Sequence, residues 1–185
     1  MVISHARALL TSTPQGSCGY LHADLSDPED ILAKIAAAGV LDFSEPAGLL
    51  LLAVLHFIPA SLDPPRIVRT LLDALAPGSY VVISHLTRDH DPARVSRSMK
   101  VGDQIGVPVR SMTLDEFEDL FTGLELLDPG AVLVSEWRRD IPGPRPLPRE
   151  INFYGAVARV RRHRTVPVQA SPGVARASSA ADSTS

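Results

Sequence analysis

The stretch LLLLAVLHFIP at residues 49–59 decides the fold class. Its first part, Leu49 to Leu55, is an unbroken apolar run of strand length, the pattern expected where helices cover both faces of a parallel sheet. It reads as a central strand. Extended to Ile58 the run still includes His56 and reaches only half of the roughly 20 residues that a membrane-spanning helix needs, so no transmembrane segment is expected.

Helical patterns flank this run on both sides. Upstream, Asp27 suits the cap and Pro28 the first helical position, Ile31, Leu32, Ile35 and Ala36 form an apolar stripe, and Gly39 ends it. Downstream the unit repeats. Asp63 caps, Pro64 opens, Ile67, Val68, Leu71, Leu72 and Leu75 face one way, and Pro77-Gly78 stops the helix. Ser79 to Ser84 is the next expected strand. Further helices are predicted from Asp91-Pro92 and from Thr113, where Thr113 and Glu116 have capping-box spacing ahead of Phe117, Leu120 and Phe121. Leu124–Leu127, Ala131–Ser135 and Phe153–Val160 read as closing strands, the last two antiparallel. Helices alternating with strands predict a doubly wound α/β sheet whose ligand lies outside the carboxyl ends of the strands.

Composition narrows the function classes. The formal charge of −3 over 185 residues, with no basic stripe, argues against nucleic acid as a partner. A single cysteine, Cys18, cannot form an internal disulfide, and it reads as a packing residue in a reducing, cytoplasmic compartment. His5 and Arg7 interrupt the apolar amino end, which argues against a secretory signal. From Arg161 the chain has no Leu, Ile or aromatic residue and too little to bury, so residues 161–185 are expected to be a disordered tail after a domain at 1–160.

Four segments, HARALLTSTPQGSCGYLHADLSDPEDIL (5–32), LLLLAVLHFIP (49–59), IVRTLLDALAPGSYVVISH (67–85) and EFEDLFTGLELLDPGAVLVSEWR (116–138), resemble a family of class I S-adenosylmethionine-dependent methyltransferases once known only as a domain of unknown function. The resemblance covers most of residues 4–160. It implies a Rossmann-like sheet, S-adenosyl-L-methionine as cofactor and a small-molecule methyl acceptor. In that family a Gly-rich loop and an acidic strand end precede the HARALL motif. Here no two of the 12 glycines stand two positions apart, so no G-x-G turn exists, and the chain is read as a partial domain lacking the first strands. The strand near Gly19–His22 would then lose its neighbours, and the chain alone is expected to be unstable, rearranged or partner-dependent. A cooperative melt from a monomer would contradict that expectation.

The resemblance also carries site residues. Asp24 would accept a hydrogen bond from the adenine amine and the Leu25 amide would face the ring, although an Asp before a helix equally serves as a turn cap. Ala53, Val54 and Leu55, at the strand end, would line the cofactor. His56 and His85, closing successive strands, are candidate general bases, since imidazole titrates near neutral pH, and each is equally read as a packed, hydrogen-bonded histidine. The cluster His85, Asp89, His90 and Asp91 has metal-ligand residue types, but a loop before a helix collects them for capping alone, and no metal is expected. Methyl transfer asks mainly for alignment of nucleophile, methyl and sulfur, so few essential side chains are expected.

Two further readings compete. One is a non-catalytic methyltransferase remnant that binds protein, or forms a homo-oligomer, through exposed strand edges. The other is an α/β hydrolase or metal enzyme built on His56, His85 and the acidic loop, which the absence of a G-x-S-x-G turn disfavours.

Overall fold

The computed structural model describes residues 15–138 and 143–161. The HARALL motif and all of the tail except Arg161 lie outside these residues.

Each helix begins where a local cap satisfies amides that have no intrahelical partner. Helix α1 (Pro28–Ala38) starts under the Asp27 carboxylate, which accepts from the Asp30 amide, and ends at Gly39 in a left-handed conformation with φ of 64°. Helix α2 (Pro64–Asp73) is capped by Asp63 and helix α3 (Pro92–Gln104) by Asp91, each followed by proline. Helix α4 (Leu114–Glu118) carries the reciprocal capping box of Thr113 and Glu116. All four starts fall where the sequence predicts them.

The strands are β1 (Gly48–Leu52), β2 (Tyr80–Leu86), β3 (Glu125–Leu126), β4 (Val132–Leu133) and β5 (Phe153–Arg159). Their order is β1-β2-β5-β3, with β4 also on β5. Strands β1 and β2 run parallel, Gly48 opposite Tyr80 through Leu52 opposite Ser84. Strand β5 returns antiparallel along the whole of β2, and β3 and β4 pair antiparallel with its opposite ends. A turn at Gly130, whose amide donates to the Leu127 carbonyl, divides the closing segment, so both expected strands shrink to short pairings.

The core lies on one face of this sheet. Leu51, Val81, Ile83, Tyr154, Ala156 and Ala158 meet Ile67, Val68 and Leu71 of α2 and Phe117, Leu120 and Phe121 of the α4 region. Phe117 and Phe121 pack edge to face with ring centroids 5.4 Å apart. The other face is open at β1: Leu50 is 60% and Leu52 49% exposed.

Two expectations are corrected. The apolar run 49–55 is not one central strand, because pairing stops at Leu52 and β1 is the terminal strand of the order. Hydrophobicity measures burial, and the side chains of Val54 and Leu55 belong to a turn rather than a ladder. Nor does 19–22 form a strand: residues 16–24 carry no ladder pairing, since no described strand runs beside them. Lys34 Nζ holds the segment instead by donating to the His22 carbonyl at 2.8 Å.

Candidate functional site

The carboxyl end of β1 carries the most unusual backbone of the site. Ala53 has φ of 52°, a left-handed conformation that costs a residue with a Cβ about 1 kcal/mol or more. Its amide donates to Ser84 Oγ at 3.0 Å and lies 3.3 Å from the Ser84 carbonyl, which anchors the turn on β2. The chain then bends into a 3-10 turn, Leu55–Phe57, leaving Ala53 and Val54 at the surface and burying Leu55 and His56.

His56 is 5% exposed and packs against Phe57, His85 and Phe153, with ring centroids 4.3, 5.8 and 5.5 Å away. Its Nδ1 is buried without a hydrogen-bond partner. Burial, and secondarily the neighbouring His85, lower its pKa to about 4, so the ring is neutral at physiological pH. The His56 carbonyl accepts from the Arg110 amide at 2.7 Å, tying the turn to the 107–112 segment.

His85 is 1% exposed. Its Nδ1 lies 2.9 Å from the Leu86 carbonyl, which can only accept, so Nδ1 carries the hydrogen and Nε2 holds a lone pair. Burial lowers its pKa, against the opposing pull of that carbonyl and of Glu116. The ring lines a cleft of about 370 Å³ with Leu55, Ile58, Pro64 and Met112. The two histidines are thus brought together beside the carboxyl ends of β1 and β2, as the strand-end argument predicts.

Asp24 and Leu25 stand apart from them. The Asp24 carboxylate accepts from both the amide and the hydroxyl of Ser26, at 2.9 and 2.8 Å, and these bonds lower its pKa. Its carbonyl accepts from the Asp27 amide, so Asp24 builds the turn that enters α1. Leu25 lines an apolar cleft with Ile31 and Leu32 of α1 and with Gly48, Leu49 and Leu51 of β1. That cleft and the one over His85 share no lining residue.

The acidic loop serves the fold through a residue that sequence reasoning missed. Tyr154 donates its hydroxyl to Asp89 Oδ2 at 3.0 Å, and His90 Nε2 lies 3.2 Å from the Tyr154 hydroxyl oxygen. Asp89 Oδ2 also accepts from the Leu114 amide, which ties the loop to α4. Burial and the Asp89 carboxylate raise the Tyr154 pKa. The available signal was the inward register of Tyr154 on β5, but its partner lies 65 positions away. Asp91 is spent as the cap of α3. Among the described residues, no group of three or more His, Cys, Asp or Glu side chains is placed to hold a metal ion. Nor does any described helix have the length and apolarity to cross a membrane.

Comparison with known families matches residues 1–161 to the model for S-adenosyl methyltransferases. The chain belongs to the S-adenosyl methyltransferase family. Solved structures agree. A DUF574 family protein from Streptomyces avermitilis MA-4680 is 38% identical with a TM-score of 0.80, the match covering 85% of this chain and 61% of that one. A Thermobifida fusca YX protein proposed to be a methyltransferase is 31% identical with a TM-score of 0.75, over 87% and 60% of the two chains. A SAM-dependent methyltransferase from Anabaena variabilis ATCC 29413, 16% identical over 85% of this chain and 64% of its own, shares the fold at a TM-score of 0.53. The chain therefore spans about three fifths of the length of these two structural relatives. Comparison with curated protein sequences gives no match.

For this family the cofactor is S-adenosylmethionine, and the residues present fit it in part. Ala53 and Val54 offer an accessible, uncharged strand end held in a strained turn, the kind of backbone that structures retain at ligand sites. The Asp24 carboxylate is exposed and accepts only from its own turn, which leaves it acceptor capacity toward an amine.

Proposed function

We propose that this chain is the acceptor-side part of an S-adenosylmethionine-dependent methyltransferase acting on a small molecule. The observation that carries the reading is the strained Ala53 turn, hydrogen-bonded to Ser84 beside the His85 cleft, in a chain of this family. Val54 and Leu55 would flank the cofactor, with Asp24 and the Leu25 amide toward its adenine.

When bound, S-adenosylmethionine supplies an electrophilic methyl group. This chain's residues then have two tasks, to hold the acceptor and to receive the proton that its nucleophilic oxygen or nitrogen gives up. His85 Nε2 suits the second, because its lone pair is free while Nδ1–H is engaged by Leu86. His56 would keep that ring in place and its surroundings dry. Burial lowers the His85 pKa, which favours handing that proton on to water. The test is transfer of labelled methyl from S-adenosylmethionine into small acceptors, compared between this chain and its His85→Leu variant. Transfer lost in the variant supports the reading, and equal transfer in both removes His85 from it.

A second reading rests on a different feature. Among the described residues the outer edge of β1 has no strand partner; it has no charge or proline across Gly48–Leu52 and exposes Leu50 and Leu52, which favours strand addition by a protein partner or a second copy. Light scattering over a hundredfold concentration range distinguishes an associating chain from a monomer. Cys18 is exposed rather than packed in the core, and a single cysteine in the sequence is compatible with a cytoplasmic location.

A further inference from the structure

The cleft over His85 is lined mainly by apolar surface. Leu55, Ile58, Pro64 and Met112 line it together with the buried imidazole. Since Nδ1–H points to the Leu86 carbonyl at 2.9 Å, the ring can present only an acceptor, Nε2, to whatever enters. Among the described residues no protein group donates a hydrogen bond to that nitrogen. Its lone pair is therefore available to a ligand hydroxyl or amino hydrogen.

The lining charge is mainly negative. Asp63, Glu116 and Asp119 line the cleft, and the lining cation is Arg110. The Arg110 guanidinium is already engaged, donating to the Val109 carbonyl at 3.0 Å and lying 3.5 Å from Asp103. An anion entering the cleft would meet three carboxylates against one cation and lose its water to an apolar lining.

We infer that this cleft binds a small, largely apolar molecule that is uncharged or cationic and donates one hydrogen bond, from a hydroxyl or an amino group, to His85 Nε2. Calling that molecule the methyl acceptor rests on the methyltransferase reading, whereas its binding does not. Burial keeps His85 neutral, so the acceptor lone pair is present across the neutral pH range.

The test uses matched probes on the full chain: 4-ethylphenol and 4-ethylaniline as donors, ethylbenzene as the apolar control and 4-ethylbenzoate as the anion. Dissociation constants are measured by ligand-observed NMR without cofactor. One recovered hydrogen bond corresponds to about a tenfold preference for the donors over ethylbenzene. That preference should vanish in His85→Leu and persist in part in His85→Gln, whose amide oxygen can still accept. A bulky Met112→Trp change, which fills the cleft and leaves His85 in place, should weaken all probes together. Equal binding of phenol and ethylbenzene, strongest binding of the benzoate, or no probe binding to a cooperatively folded chain would each overturn the inference. If the donors bind yet no methyl is transferred, the cleft stands and the transferase reading fails. If methyl is transferred while the donors show no preference, the reverse holds.

Discussion

His85 and Tyr154 stand directly opposite each other in the antiparallel ladder of β2 and β5, both on the buried face of the sheet. One ring ends in a free acceptor beside a cleft, and the other ends in a hydroxyl committed to Asp89. This pair separates the residue available to a ligand from the one that fastens the loop above it.

Tyr154→Phe keeps the ring that stacks on Phe117 and removes only the hydroxyl. Asp89 keeps its bond from the Leu114 amide, so the expected loss is that of the hydroxyl's bond to a charged group, about 1.5 to 3 kcal/mol, together with its contact with His90 Nε2. Urea unfolding of Tyr154→Phe, Asp89→Asn and the double variant checks this. The two single losses should be strongly non-additive, and strict additivity would remove the bond from the account.

Acid should destabilise the protein through the buried histidines. The unfolded chain protonates His56 near pH 6.5, whereas the folded chain resists until about 4, so its contribution is complete above the first value and is lost as pH falls toward the second. The loss is at most about 3 kcal/mol for that group, and His85 adds in the same direction. His56→Leu also removes a buried nitrogen that has no partner, so it should be near-neutral at pH 7 and markedly less acid-sensitive. Denaturant midpoints at pH 7 and 4.5 decide the point. An unchanged acid slope in the variant would contradict it.

Gly155 is required by a close approach. A Cβ there would stand 2.9 Å from Val134 Cγ1, across the β4–β5 pairing. Gly155→Ala should therefore cost about 1 to 3 kcal/mol, and Val134→Ala, at a half-exposed site, should restore most of it. Thermal melts of the two single variants and the double variant measure that rescue.

The helix starts were legible because their causes are local. Asp27-Pro28, Asp63-Pro64, Asp91-Pro92 and the Thr113–Glu116 box each bond within a few residues, so spacing alone exposes them. What depends on a distant partner was not legible. The apolar run at 49–55 does not say that pairing with β2 ends at Leu52, nor that Ala53 turns left-handed against Ser84, 31 positions away. The 19–22 segment has strand composition but no described strand to pair with, so its pattern could not make it one. Of the site, His85 was legible near the end of its strand, whereas His56 lies in the turn beyond β1, and the tautomer that makes His85 an acceptor follows only from the position of a carbonyl.

Ala53→Gly tests the strain directly. Glycine accepts positive φ without the Cβ penalty, so the unfolding free energy should rise by about 0.5 to 1 kcal/mol. Ala53→Val, β-branched at the same φ, should lower it by more. Opposite signs would mean that the turn is unstrained.

The central claim is that this strand end still engages the methyltransferase cofactor, and the most direct measurement is the unfolding midpoint of the chain with and without S-adenosylhomocysteine. A ligand that binds only the folded form at a hundred times its dissociation constant adds about 2.7 kcal/mol, which moves the midpoint of a domain of this size by several degrees. The account predicts that rise, reduced in Ala53→Val. A cooperative transition left in place by saturating ligand would contradict it.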